Sequence, residues 1–90
     1  MRRDVVVEYS KKFLRALKKI SPDIQDKAES QEYLFKLNPF DQRLHTHKLR
    51  GKDKHLWAYS VDHRYRIKFI FLDDDHRVLY LDIGMHDDVY

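Results

Sequence analysis

The stretch "YRIKFIF", residues 65–71, decides how the chain folds. Apolar and cationic side chains alternate through Lys68, which is the period of a half-buried strand and not of a helix. Ile67, Phe69 and Phe71 are expected on one side, and Arg66, Lys68 and Ile70 on the other. Two similar runs flank it, "HLWAYSV" (55–61) and "RVLYLDI" (77–83), separated from it by the turn-like "VDHR" and "DDDH". Consecutive strands with such short connections predict an antiparallel meander. A tight turn at His63–Arg64 would pair Asp62 with Tyr65, Val61 with Arg66 and Tyr59 with Lys68. Trp57, Tyr59 and Val61 would then share the face of Arg66, while Leu79, Leu81 and Ile83 join the opposite face.

Upstream, "DVVVEY" (4–9) is rich in β-branched residues and reads as an opening strand, with Val5, Val7 and Tyr9 on one face. Ser10 then offers an N-cap for "KKFLRALKKI", where Phe13, Leu14, Leu17 and Ile20 fall at helical spacing. "SPD" (21–23) starts a second helix, with Ser21 as cap and Pro22 at its first position, running to about Leu37 before "NPFD". Two helices joined by so few residues pack as a hairpin. The expected architecture is α+β: an N-terminal strand, a two-helix hairpin and a three-stranded meander, with the helices on one face of the sheet.

Composition narrows the function classes. Ninety residues leave room for one core, so one domain over 1–90 is expected. Eighteen Lys and Arg against 15 Asp and Glu give a net charge of +3, which favours a polyanionic or acidic partner. The absence of Cys rules out disulfides, thiolate nucleophiles and Cys-based zinc sites, and fits a reducing compartment. No apolar run approaches the roughly 18 residues of a membrane span. The three valines of the N-terminus are too few for a signal peptide. A soluble cytoplasmic protein without a membrane partner is expected.

Six His residues are many for such a chain. "HTH" (45–47) puts two imidazoles on one face of an extended segment, a possible start for a metal site. Further ligands are not evident and no HExxH occurs, so neither a metal nor another cofactor is expected. Imidazoles titrate near neutral pH and suit metal-free acid–base chemistry. His47 precedes the meander, His86 follows Gly84 at its end, and Arg66 lies between them. A base, an acid and a fixed cation are what is needed to drive a ribose 2′-hydroxyl onto its neighbouring phosphate. An open sheet face carrying Arg, Lys, Trp and Tyr also suits RNA, through phosphate neutralisation and base stacking. A wet Lys/Arg face is equally the ordinary state of an antiparallel sheet, so composition leaves both readings open.

The run "HKLRG…W…HRYRIKF…LDIGMHDDVY" resembles the second half of the RelE/ParE toxin superfamily, and most of all its RelE, YoeB and YafQ branch. The resemblance implies the strand–helix–helix–three-strand fold over nearly the whole chain. It implies the toxin of a type II toxin–antitoxin system, a metal-independent endoribonuclease that cuts mRNA in the ribosomal A site, beside ribosomal RNA, and is neutralised by a cognate antitoxin. "HKLRG" is similar to the segment that opens with a catalytic His in YafQ-like members, which carries the proton acceptor to His47, with His45 as the alternative. "YRIKF" is similar to the strand whose Arg contacts the scissile phosphate, which carries that role to Arg66. "GMHDDVY" is similar to the segment that ends in a His or Arg and then an aromatic, giving His86 as the general acid and Tyr90 as a base-stacking residue. Lys48, Arg50 and Arg64 complete the expected contacts to the RNA backbone, with solvated side chains as the plain alternative, and Trp57 is expected as an RNA contact, a platform for a base, with a packing residue at the rim as the equal alternative. Two departures stand out. RelE has strand lysines where this chain has Trp57 and Tyr59, and YafQ has a further functional His where this chain has Val61. The ParE branch shares the fold but poisons gyrase without needing the His pair, and the alternative function is such a gyrase poison or a fold relative that lost catalysis and keeps only partner binding. The bases of the first helix, Lys11, Lys12, Arg15, Lys18 and Lys19, fit ribosomal RNA, acidic antitoxin side chains or a merely soluble face.

Overall fold

Ser10 is where the chain turns from strand to helix, and one side chain does both jobs. In the computed structural model, which describes residues 4–51, 55–72 and 76–86, strand β1 spans Val6–Tyr9 and helix α1 spans Lys11–Lys18. The Ser10 Oγ accepts from the Phe13 amide (3.0 Å), satisfying an N–H that has no partner within the helix. It also donates to the Leu81 carbonyl (3.1 Å), which pins the helix start to a strand distant in sequence. Helix α1 is short, about two turns, and buries only Phe13; Leu14 stays 43% exposed, although the helical spacing had placed it in the buried stripe.

Helix α2 spans Pro22–Leu37 and buries Ile24, Ala28 and Phe35. Pro22 starts it as expected, but Ser21 makes no side-chain cap bond. The hairpin is closed instead by Gln25, whose Nε2 donates to the carbonyls of Leu17 (3.0 Å) and Ile20 (2.9 Å) at the end of α1. Those carbonyls lie where a helix runs out of its own donors.

A 3-10 turn over Gln42–Leu44 and a two-residue strand β2, His47–Lys48, lead into strands β3 (Trp57–Ser60), β4 (Tyr65–Phe71) and β5 (Arg77–Met85). The five strands form one sheet in the order β1-β5-β4-β3-β2. β1 runs parallel to β5 and every other pair is antiparallel. The core lies under the helices: the Phe35 ring stacks on Tyr59 (centroids 4.7 Å apart) and meets Phe69 edge-on (5.0 Å). No helix among the described residues is long and apolar enough to cross a membrane.

Two details of register correct the expected faces. Tyr59 pairs with Ile67 and Ser60 with Arg66, because the β3–β4 turn holds three residues, Asp62–Arg64, and not two. The amide of Val61 donates to the Tyr65 carbonyl (2.9 Å) and closes that turn. One extra residue turns every side chain of the strand over. Trp57, Tyr59 and Val61 therefore lie on the helix-covered side, and Ser60 and Ala58 share the face of Arg66 and Lys68. The second correction is in β5. A register shift between Lys68 and Phe69 leaves Ile83 opposite Ile67 but places Tyr80 opposite Phe69 and Val78 opposite Phe71. Ile83 is buried as expected, whereas Val78 and Tyr80 take the core places assigned to Leu79 and Leu81.

Candidate functional site

The face opposite the helices is cationic because the alternation of β4 puts Arg66 and Lys68 there, while Ile67 and Phe69 are sunk below. At the end of the sheet carrying the β3–β4 turn, this face opens into a depression of about 520 Å³. His45, His47, His63, Arg43, Asp62 and Arg66 are among its lining residues. Arg66 comes from β4, His47 from β2, Asp62 and His63 from the turn, and Arg43 and His45 from the 3-10 turn and its end. Gln31 of α2 ties these parts together, its Nε2 donating to the carbonyls of Ser60 (2.9 Å) and Arg43 (3.5 Å).

Each of two key side chains is oriented by backbone carbonyls. The Nδ1 of His47 lies 2.9 Å from the carbonyl oxygen of His45. A carbonyl only accepts, so the neutral ring carries its hydrogen on Nδ1 and its lone pair on Nε2. His45 presents that carbonyl from a left-handed conformation (φ 51°) closing the 3-10 turn. The Arg66 Nη1 donates to the carbonyls of Asp62 (2.7 Å) and Tyr65 (3.1 Å). Nη1 donates to both, which leaves the donors of the Nε–Nη2 edge as the ones an incoming anion would need.

Charged neighbours set the local electrostatics. Asp62 lies in the turn itself, where burial alone would push its carboxyl up. Hydrogen bonds from the Tyr65 and Arg64 amides, with Lys27 and His63 nearby, outweigh that and hold it below the usual carboxylate range. At the rim, the side-chain and backbone hydrogen bonds of Arg43 hold the Asp41 carboxyl down to about 2.

The ladder sets the spacing of the expected catalytic trio. Gly84 is the cross-strand partner of Arg66, and the His86 amide donates to the Arg64 carbonyl (2.8 Å). With strands about 4.8 Å apart and about 3.4 Å per residue, the α-carbons of Arg66 and His86 are separated by about 8 Å. His47 pairs with Ala58, which pairs with Lys68, so it stands two strands and two residues from Arg66. The same spacings give about 12 Å between those α-carbons. His47 and His86 thus flank Arg66 from opposite sides, and His47 and Arg66 line the depression together.

The other expected contacts divide. Arg64 is exposed beside the site, its guanidinium carbon 6.0 Å from the Tyr65 ring centroid. Arg50 is exposed beyond β2. Lys48 pairs with Trp57 and so alternates away from His47. Trp57 is half-buried between Phe40 (5.7 Å) and Phe71 (5.5 Å), packing under the sheet and not on the face of Arg66. Tyr90 lies outside the described residues. Lys68, Arg43 and Asp62 were not singled out from the sequence. The alternation of "YRIKFIF" already put Lys68 beside Arg66, whereas nothing local marks Arg43 or Asp62, which the turns bring in. Among the described residues, no group of three or more His, Asp or Glu side chains is placed to hold a metal ion.

No protein-family model matches the sequence, and no curated protein matches it. Solved structures do resemble the fold. The RelBE2 toxin–antitoxin complex from Mycobacterium tuberculosis superposes with a TM-score of 0.77 at 17% identity, covering 92% of this chain and 99% of that one. YafQ from E. coli gives 0.76 at 17% identity, covering 96% and 98%. A YoeB/ParE toxin from Agrobacterium tumefaciens gives 0.74 at 12% identity, covering 89% and 96%. Identities this low speak for the shape of the backbone alone, and on that ground the chain has the RelE-like toxin fold, the fold of RelE, YafQ and YoeB.

Proposed function

We propose that this chain is the toxin of a type II toxin–antitoxin pair and a metal-independent endoribonuclease that cuts mRNA on the ribosome. One observation carries the reading: an imidazole whose Nδ1 is engaged by a backbone carbonyl and a guanidinium whose Nη1 is engaged by two line the same open depression. His47 Nε2 takes the proton of a ribose 2′-hydroxyl, and the oxygen attacks the adjacent phosphorus. The Nε–Nη2 edge of Arg66 holds the phosphoryl oxygens as negative charge builds on them. The bond to the 5′-oxygen breaks, and that oxygen leaves with a proton from His86. The products are a 2′,3′-cyclic phosphate and a 5′-hydroxyl. A base and an acid on opposite sides of the clamp suit this in-line displacement, since the attacking and leaving oxygens lie on opposite sides of phosphorus.

Arg64, Lys68 and Arg43 extend the cationic surface along the RNA backbone beside Arg66, with Arg50 and Lys48 at its margin and Tyr90 as the base-stacking residue. Trp57 serves packing. Ribosomal RNA is the further polyanion such a surface meets. An acidic, partly disordered antitoxin that covers the cationic face neutralises the protein, in line with the toxin–antitoxin complexes among the similar structures.

The test is cleavage of a defined mRNA on purified ribosomes, with the ends mapped and the 2′,3′-cyclic phosphate assayed. Loss of a general acid lowers the rate about 10²–10⁴-fold, which is the expectation for His86→Ala at unchanged thermal stability. Wild-type cleavage by that variant removes His86 from the mechanism. Growth arrest with intact mRNA and a DNA-damage response marks a gyrase poison and ends the nuclease reading.

A further inference from the structure

Asp62 is a nearly buried carboxylate at the mouth of the depression, and the cleavage chemistry leaves it unused. Its side chain is 11% exposed. Oδ1 accepts from the amides of Arg64 (2.9 Å) and Tyr65 (2.8 Å). Oδ2 is buried without a hydrogen-bond partner among the described residues, and the Lys27 Nζ of α2 stands 3.7 Å away. The backbone carbonyl of the same residue is the shorter of the two acceptors that hold the Arg66 Nη1. Side chain and main chain of Asp62 therefore act in series: the carboxylate gathers two amides and fixes the turn, and the turn aims two carbonyls at the guanidinium.

We propose that Asp62 is a positioning residue for Arg66, acting through the turn it builds, with Lys27 as the counter-ion that ties the turn to α2. The proposal rests on Arg66 being the phosphate clamp. A three-residue turn has many conformations available, and without the carboxylate the Asp62 carbonyl loses what holds its direction, leaving the Tyr65 carbonyl, which the Val61 amide holds (2.9 Å), as the one fixed acceptor. A guanidinium held at one acceptor in place of two still carries its charge but no longer offers a fixed edge. Displacing a clamp by about 1 Å costs a reaction on the order of 100-fold. The effect belongs to the cleavage step, because a swinging Arg66 still attracts RNA.

The test is a double-mutant cycle of Asp62→Ala with Arg66→Ala, read by ribosome-dependent cleavage, and it includes Asp62→Asn. Asp62→Ala is expected to lower kcat about 10–100-fold with little change in KM, and to cost nothing further once Arg66 is already Ala. Asp62→Asn keeps a side-chain oxygen for the two amides and is expected to recover most of the rate. Equal losses from Asp62→Ala with and without Arg66 overturn the proposal, as does an Asn variant no better than Ala. A second readout is independent of cleavage: hydrogen exchange of the Arg66 guanidinium by NMR. The Nη1 protons are expected to exchange at least about tenfold faster in Asp62→Ala, as protected hydrogen bonds open. Unchanged exchange refutes the positioning role. An Arg66→Ala variant that cleaves like wild type refutes the clamp instead, and leaves the exchange experiment to decide on Asp62.

Discussion

Removing one hydroxyl from the core should harm this protein more than removing two. The hydroxyls of Tyr59 and Tyr80 lie 2.8 Å apart on rings that are 0% and 1% exposed. Neither makes another hydrogen bond among the described residues. Tyr80→Phe keeps the ring and its contacts with Tyr9, Phe13 and Phe35 but strands the Tyr59 hydroxyl away from water. A stranded buried hydroxyl costs about 1–3 kcal/mol. At about 2 kcal/mol, and about 4–8 °C per kcal/mol for a domain this size, Tm falls by about 8–16 °C. Tyr59→Phe is expected to cost about the same. The double Phe variant has no hydroxyl left to desolvate and should lie within about 1 kcal/mol of the parent. The two singles together would amount to about 4 kcal/mol, so the interaction energy is about −3 kcal/mol, the strong end for residues in contact. Urea unfolding of all four proteins, followed by Trp57 fluorescence and far-UV circular dichroism, measures it. A double variant within about 0.5 kcal/mol of the summed singles would mean that the hydroxyls do not depend on one another, and the reasoning fails.

The same pair makes the fold sensitive to alkali. Burial pushes both hydroxyls well above the usual tyrosine range, so the unfolded chain releases these protons at lower pH than the folded one. Their stability contribution is whole below pH about 10 and falls above it by about 1.4 kcal/mol per pH unit for each tyrosine. Unfolding midpoints between pH 9 and 11.5 test this, and the double Phe variant should lose that slope. At the start of α1, Ser10→Ala removes the acceptor for the Phe13 amide and the bond to Leu81. The expected cost is about 1–2 kcal/mol, or about 4–16 °C in Tm, with Ser10→Thr retaining most of the stability. A Ser10→Ala variant that melts with the parent shows that α1 is held by Phe13 packing alone.

How much of this was legible in the sequence can be followed residue by residue. The alternation in β4 gave the strand, its core side at Ile67 and Phe69, and the open side at Arg66 and Lys68. Ser10 and Pro22 marked the starts of both helices. These are local signals, because backbone geometry and the hydrophobic effect act directly on side chains two or three residues apart. The errors lie where one residue changes parity. "VDHR" is compatible with a turn of two residues or three, and the choice is made by Asp62, whose carboxylate gathers the Arg64 and Tyr65 amides. That choice sent Trp57, Tyr59 and Val61 under the helices. The irregularity opposite Lys68 and Phe69 likewise exchanged Leu79 and Leu81 for Val78 and Tyr80.

The sequence by itself determined the first strand, the two helices and the three-stranded meander in their order, and a strand offering Arg66 and Lys68 to solvent, since these follow from periodicity along one segment. Only the tertiary structure decided which side chains meet. His47 reaches the depression beside Arg66 from a two-residue strand too short to leave a pattern, and its tautomer is set by the His45 carbonyl. Arg66 is aimed by carbonyls that a neighbouring turn presents. Such contacts join residues through cross-strand pairing and turn geometry, and a strand's period of two magnifies a one-residue difference in a turn into a change of face.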